Sequence, residues 1–130
     1  MNNENLIEIC QYNEKLNEVS GANLPVGKII YRSVGLPIHM RNRGHGRYLP
    51  YIDKLEEILQ SPDYVGVNPN EPPNSSIELV KRYDDNILVG IKLDIENDYL
   101  YVSTIFGIQE QKIQRRLHSH RLKEFNIDNS

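Results

Sequence analysis

Hydrophobic residues recur at helical spacing in the first half of the chain and again near its end. Residues 4–19 and 50–59 each carry an apolar stripe with polar side chains opposite, so a helix is predicted over each range. Between them, Pro37 is a favourable first residue of a shorter helix, which Gly44 would end. A basic helix is predicted over residues 109–123.

The middle of the chain changes to the alternating pattern of β-strands. Strands are predicted over residues 64–67, 77–83, 87–93 and 99–106, and a short one over residues 28–32. The turns between the last three predicted strands are short and polar, which implies an antiparallel meander. The predicted fold class is therefore α+β, with N-terminal helices, a four-stranded antiparallel sheet and a short C-terminal helix.

The chain has 130 residues, which is the length of one domain. Residues 27–125 are predicted to form that domain. Residues 1–26 are predicted to be a helix or linker extension. Residues 126–130 are predicted to be a frayed tail, because the end of the chain is polar.

The net charge of −3 is unevenly distributed. Residues 27–60 carry +3 and residues 101–130 carry +2, whereas residues 1–26 and 61–100 carry −3 and −5. If the two basic segments meet in the folded protein, they give it a positive face in spite of its acidic total. The alternative is that these charges only solvate the surface.

Several classes of protein are excluded by composition. The single cysteine, Cys10, cannot form an internal disulfide or supply a cysteine zinc site. No apolar run has the length of a membrane span, and no secretory signal is visible at the N-terminus. We therefore expect a soluble cytoplasmic protein that does not contact membranes.

All four histidines lie in the two basic segments. Histidine transfers protons near neutral pH, and arginine binds phosphate with two donors at once. Cleavage of a phosphodiester needs a base, an acid and cations that stabilise charge on phosphorus. Because RNA supplies its own nucleophile, the 2′-hydroxyl, such a site needs no metal or other cofactor. The residues concerned are His39, His45, His118 and His120, with Arg41, Arg43, Arg47 and Arg116 nearby in sequence.

The histidines also have simpler interpretations. A surface histidine among arginines, such as His120, is usually only solvated. The six-residue spacing of His39 and His45 would not place both on one face of a single helix. A zinc site formed by these two and a carboxylate is disfavoured, because no pair of ligands has i,i+4 spacing.

Two polar residues of the predicted strands are ambiguous. Lys81 shares a sheet face with Ile77 and Leu79, so it either points across a site or extends to solvent. Thr104 is expected on the same side of its strand as Val102, where a threonine is common without any functional role.

Six stretches of the sequence carry a resemblance to a known family. They are residues 35–45, 51–70, 76–81, 89–94, 98–104 and 115–122. Together they resemble the barnase–EndoU–colicin–RelE (BECR) superfamily of ribonucleases, and they look most like its phage-associated (PBECR-type) branch. The resemblance implies two leading helices followed by a four-stranded antiparallel sheet, and it offers no counterpart for residues 1–26.

The resemblance also implies roles for single residues. Either His39 or His45 would be the general base, Lys81 would stabilise the phosphorane, and the scissile phosphate would be positioned by a strand hydroxyl. The implied catalytic residues are His39, His45, Lys81 and Thr104. The implied substrate-binding residues are Arg41, Arg43 and Arg116. Arg47 is predicted to bind substrate with them, and His118 either binds substrate or acts as a second acid–base group.

The predicted function is therefore that of a metal-independent endoribonuclease of toxin type. It would cleave RNA, such as tRNA or another structured RNA, by 2′-hydroxyl attack and leave a 2′,3′-cyclic phosphate. Expected partners are the RNA, a cognate immunity protein and a larger phage or toxin protein to which the domain is fused. The alternatives are a catalytically silent module of the same fold that binds RNA or protein, and a metal-dependent hydrolase.

Overall fold

The computed structural model describes residues 5–126, which form one mixed β-sheet with helices on both sides. The predicted α+β fold class is confirmed. The strands are β1 (Leu6–Gln11), β2 (Ile29–Ser33), β3 (Tyr64–Gly66), β4 (Ser76–Arg82), β5 (Asn86–Asp94), β6 (Tyr99–Gly107) and β7 (Leu122–Glu124). The helices are α1 (Glu14–Ser20), α2 (Leu36–Asn42), a 3₁₀ helix (Gly46–Lys54), α3 (Leu55–Gln60) and α4 (Glu110–His118).

Within residues 5–126 the sheet has seven strands, in the order β1-β2-β6-β5-β4-β3-β7. The predicted four-stranded antiparallel sheet is wrong, although β3 to β6 are consecutive antiparallel neighbours. β2 extends this meander in parallel with β6, and β1 and β7 are its antiparallel edges. β7 was not predicted because its Leu122 was counted among the apolar positions of the helix predicted over residues 109–123.

The single helix predicted over residues 4–19 is also wrong, because this segment contains β1 followed by α1. α1 begins after Asn13, whose side-chain oxygen accepts a hydrogen bond from the Lys15 backbone N–H. The register of β1 against β2 shifts just before Cys10. At this bulge two consecutive residues, Ile9 and Cys10, pack against the core, so a strand shows the apolar spacing of a helix.

The two faces of β4, β5 and β6 pack against different helices. On one face, here called the inner face, the apolar side chains form one core with α1, α2 and α3. On the other, here called the cleft face, Val80 and Leu88 pack with Ile113 of α4 and Leu122 of β7. The core residues of the inner face in these strands are Ile77, Leu79, Ile87, Val89, Ile91, Leu100, Val102 and Ile105.

The C-terminal helix is shorter than the predicted range of residues 109–123. α4 ends at His118, and His120 has a left-handed backbone with a φ of 66°. This turn reverses the chain, so that β7 pairs with β3. Of the predicted frayed tail, residues 127–130 lie outside the described part of the chain.

The predicted boundary after residue 26 stays a prediction. β1 pairs with β2 across it, and Leu16 and Leu24 are buried in the inner core. No helix within residues 5–126 is long and apolar enough to cross a membrane.

Candidate active site

A cleft of about 410 Å³ opens on the cleft face of the sheet. Its floor follows a row of register partners, in which Glu78 lies opposite Gly90 and Gly90 lies opposite Thr104. The loop after α2 packs on β6, and the α4–β7 turn packs near β3, so they border opposite sides of the floor. The polar residues that line the cleft are His39, Arg43, His45, Asn68, Glu71, Ser76, Glu78, Lys92, Ser103, Thr104, Arg116 and Arg121.

A bulge in β6 gives this floor two of its three hydroxyl groups, and the third belongs to Ser76 of β4. Gly90 pairs with Thr104 and Ile91 pairs with Val102, so Ser103 is an extra residue in the strand. The prediction that Thr104 shares a side with Val102 is therefore wrong, since Val102 lies in the inner core and Thr104 lines the cleft. Gly90 leaves room for both hydroxyl residues, because a Cβ there would lie 2.9 Å from Thr104 Cγ2 and 3.0 Å from Ser103 Oγ.

His39 and His45 reach the cleft from α2 and from the loop that follows it. The chain leaves the helix at Gly44, where φ is 76°, and the His45 N–H donates to the Met40 carbonyl oxygen at 2.7 Å. The His45 ring packs on Phe106, with the ring centroids 5.5 Å apart, whereas His39 is exposed. One imidazole held by ring packing and one exposed imidazole therefore share the cleft.

Arg116 and Arg121 line the cleft from the α4–β7 side, and both bind Glu78. Arg121 donates from Nη2 to Glu78 Oε1 at 2.5 Å and from Nε to Oε2 at 3.2 Å. Arg116 Nη1 donates to Oε2 at 3.1 Å. Burial lowers the pKa of Arg116 from its ordinary value, Glu78 opposes this shift, and the neighbouring Arg121 adds to it. Glu78 thus holds two guanidinium groups in place on the floor of the cleft.

Gly66 of β3 allows Arg121 to take this position. A Cβ at residue 66 would overlap the Arg121 carbonyl oxygen and would lie 2.7 Å from the Arg121 carbonyl carbon. Because the overlap is with backbone, no side-chain rotation could relieve it. The close approach of the α4–β7 turn to β3 therefore requires glycine at this position.

The cleft carries more positive than negative charge. Lys92 is a register partner of Ser76 on the floor, and its Nζ lies 3.4 Å from Glu71 Oε1. Because the permanent cations outnumber the carboxylates, an anionic ligand is favoured there even with both histidines neutral. The cations are Arg43, Lys92, Arg116 and Arg121, and the carboxylates are Glu71 and Glu78.

Four of the predicted site residues do not line the cleft. Lys81 lies on the inner face opposite Ile87, where its Nζ donates to the Ser61 carbonyl oxygen at 2.7 Å. Arg47 is paired with Asp85 at 2.7 Å. Their predicted roles stay predictions. The other two residues, both exposed, are Arg41 and His118.

Sequence reasoning missed Glu78, Lys92, Ser103 and Arg121. Glu78 and Lys92 each interrupt an apolar strand, and a charged residue there is a signal that one face of the strand is not core. Gly90 inside a strand pattern was a further signal, since it marks a bulge or a close approach. No sequence signal distinguishes Arg121 from its basic neighbours.

These groups suit acid–base chemistry on a phosphodiester. The imidazoles lie on one side of the floor, the arginines bound to Glu78 lie on the other, and hydroxyl groups lie between them. An anion that enters the cleft would meet arginines on the β4 side and imidazoles on the β6 side. Within residues 5–126, no three His, Cys, Asp or Glu side chains are grouped so that they could hold a metal ion.

Comparison with known families agrees with this geometry. The family model for the phage-Barnase-EndoU-ColicinE5/D-RelE like nuclease3 (PBECR3) matches residues 8–115. The chain belongs to this family. The resemblance to the BECR superfamily and its phage-associated branch is thereby confirmed, and the domain is nuclease-like. No curated protein and no solved structure matches the chain at a significant level.

The PBECR3 match covers one part of the cleft better than the other. Both histidines and the floor formed by β4, β5 and β6 lie within the matched residues. The match ends at Arg115, so Arg116, Arg121 and β7 lie beyond it. The arginine side of the cleft is therefore assigned from the structure of this chain alone.

Proposed function

We propose that this PBECR3 domain is an endoribonuclease of toxin type that cleaves RNA by attack of a 2′-hydroxyl group, without a metal ion. A tRNA or another structured RNA is the proposed substrate class. The observation that carries the proposal is the placement of two imidazoles, four permanent cations and three hydroxyl groups around one cleft. Membership of a nuclease-like family supports the same reaction class.

The proposed reaction is an internal transfer of the phosphodiester. The 2′-oxygen forms a bond to phosphorus, and the bond from phosphorus to the 5′-oxygen of the next nucleotide breaks. A neutral imidazole takes the proton of the 2′-hydroxyl, and an imidazolium gives a proton to the departing oxygen. The products are a 2′,3′-cyclic phosphate and a free 5′-hydroxyl end, so neither water nor a cofactor is consumed.

Residues of the cleft can be assigned to each part of this reaction. The two imidazoles that border the floor, His39 and His45, are the proposed acid–base pair, in either order. Arg116, directed by Glu78, is proposed to bind the phosphate and to stabilise charge that develops on it. The Thr104 hydroxyl is proposed to donate a hydrogen bond to a phosphate oxygen, as expected for a positioning group.

The proposed partners follow from the same site. A toxin of this type needs a cognate immunity protein, and we propose that this protein presents carboxylates to the cations of the cleft. Fusion to a larger phage or toxin protein is proposed from the phage association of the family. The proposed place of action is the cytoplasm, where tRNA and ribosomal RNA occur.

Incubation of the purified chain with total tRNA and ribosomal RNA in excess EDTA tests the proposal. Discrete fragments that end in a 2′,3′-cyclic phosphate are the expected result. Activity that EDTA abolishes would indicate the metal-dependent hydrolase instead. Intact RNA at high protein concentration, together with measurable RNA binding, would indicate the catalytically silent module.

A further inference from the structure

A second cavity of about 610 Å³ lies beside the cleft, on the outer side of the α4–β7 turn. We call it the basic pocket. Its charged and polar lining includes Arg115, Arg116, His120 and Arg121, and its apolar lining is formed by Val67 and Pro69. This turn carries a run of basic residues, of which Arg116 and Arg121 line the cleft.

The basic pocket is continuous with the cleft through Arg116 and Arg121, which line both cavities. The two cavities differ in charge. Glu71 and Glu78 line the cleft, whereas no carboxylate among residues 5–126 lines the basic pocket. Because Arg115 is exposed and has no carboxylate beside it in this lining, its charge is open to a ligand.

The backbone of His120 gives a second, independent observation. Its φ of 66° lies in the left-handed region, which favours glycine or asparagine over a histidine. The side chain is exposed, so burial of the ring does not explain why a residue with a side chain occupies this position. The histidine that is present instead adds a ring with two nitrogens to the lining of the basic pocket.

We propose that the basic pocket binds a backbone phosphate of the RNA at a nucleotide beyond the one that is cleaved. The phosphate is bound by Arg115 and His120, and the neighbouring ribose packs on Val67 and Pro69. A single strand that enters the cleft passes over Arg116 and Arg121 into this pocket. The inference rests on the proposed function and adds that the preferred substrate extends past the scissile dinucleotide.

The experiment compares binding of short and long non-cleavable strands. The probes are a 2′-deoxy dinucleotide and a 2′-deoxy oligonucleotide of about eight residues, a length within the range that single-strand sites cover. The variants are Arg115→Gln, His120→Gly and, as a charge-matched control, Lys54→Gln, since Lys54 is exposed and lines neither cavity. The Kd of the wild-type chain and of each variant for each probe is measured over a series of salt concentrations.

We expect Arg115→Gln to weaken binding of the long strand, to leave the dinucleotide unaffected and to reduce the salt slope by about 0.7, the value for one single-strand phosphate contact. His120→Gly should raise the unfolding temperature, because glycine accepts this φ, and yet weaken binding of the long strand.

The inference would be overturned if Arg115→Gln and Lys54→Gln bound the long strand with equal Kd values. It would also be overturned if Arg115→Gln weakened binding of the dinucleotide and of the long strand by the same factor. Cleavage of RNA by the wild-type chain is followed in parallel. If RNA is cleaved but Arg115→Gln affects the Kd of both probes equally, only the proposed role of the basic pocket is contradicted. If RNA is neither bound nor cleaved, the proposed function fails as well.

Discussion

The inner face and the cleft face belong to the same three central strands, yet their chemistry is opposite. On the inner face of β4 and β5, Ile77, Leu79 and Val89 have at most 1% of their surface exposed. On the cleft face, the register partners of the same strands include Glu78 and Gly90. The contrast shows that packing against α1, α2 and α3 buries most of the inner face. The cleft face is buried only in part, by α4 and β7, and the rest of it accommodates charged residues and glycine.

The same contrast applies to two charged residues within β4, Glu78 and Lys81. Glu78 accepts hydrogen bonds from two arginines on the cleft face. Lys81 lies on the inner face and donates to the Ser61 carbonyl oxygen. One sheet thus holds one charged group in a candidate active site and another in a structural contact, and variants of the two faces should affect different measurements.

Removal of both imidazoles from the cleft should have the largest effect on activity. We expect the double variant His39→Ala, His45→Ala to lower kcat by about 10²–10⁴-fold, because general acid–base catalysis contributes this much. The unfolding midpoint should fall only slightly, because His39 is exposed and His45 loses only its ring contacts, chiefly that with Phe106. Single-turnover cleavage and thermal unfolding measure the two effects, and near-normal cleavage by the folded variant would contradict the assignment.

Loss of the close approach at Gly66 should reduce both activity and stability. Gly66→Ala is expected to lower the free energy of unfolding by about 1–3 kcal/mol, as other insertions into packed sites do. It should also displace Arg121 from Glu78. The matched control is Gly35→Ala, where a Cβ would meet only Ser33 Oγ at 3.5 Å. If urea unfolding and RNA cleavage are equal for the two variants, the backbone contact does not position the arginine.

A reciprocal exchange on β6 tests the bulge. Thr104→Val should reduce kcat/KM by about tenfold or more, the value of a hydrogen bond to a charged group, without loss of stability. Val102→Thr should cost about 1–3 kcal/mol of stability, because it buries a hydroxyl in the inner core, and should retain activity. The opposite pattern in cleavage and unfolding assays would mean that Thr104 faces the core, as simple alternation predicts.

Lys81→Met sets the predicted catalytic role of this lysine against its position on the inner face. We expect a loss of about 1.5–3 kcal/mol in the free energy of unfolding, the value of a hydrogen bond that involves a charged group, and unchanged kcat/KM. Steady-state cleavage measures kcat/KM of the variant, and urea unfolding measures its stability. A loss of activity as large as that of the histidine variants would restore Lys81 to the active site.

The smallest effect concerns Cys10, which packs against the inner core. Burial and, to a lesser degree, Glu56 raise the pKa of its thiol from 9.0 to about 11. The reactive thiolate is therefore scarce near neutral pH, and alkylation of the folded chain should keep accelerating up to a pH of about 11. A rate that levels off near pH 9 in an alkylation time course would show that this part of the inner face is open to solvent.

The sequence predicted those elements whose periodicity is regular. β3 to β6 were recognised because their apolar spacing matches that of a strand. α2 was predicted from Pro37 at its start and Gly44 after its end. β1 and the side of Thr104 were predicted wrongly for one physical reason. Each strand contains a bulge, and one extra residue transfers all later side chains to the other face.

The candidate site could be predicted only as a set of residue types. His39, Arg43 and His45 are close in the sequence, and their chemistry is visible there. The contacts that position the arginines join residues that are far apart in the sequence. Arg121 and Glu78, for example, are separated by 43 positions. That contact depends on the path of the chain over Gly66, which no local pattern encodes.

The most direct test of the central claim is cleavage of a substrate that lacks the proposed nucleophile. A short RNA that contains the mapped cleavage site is compared with the same strand carrying a single 2′-deoxy nucleotide on the 5′ side of that site, both in EDTA. Binding of the two strands is measured alongside. We expect equal binding of the two strands, with cleavage of the all-RNA strand only. Cleavage of the 2′-deoxy strand at the same position would contradict it.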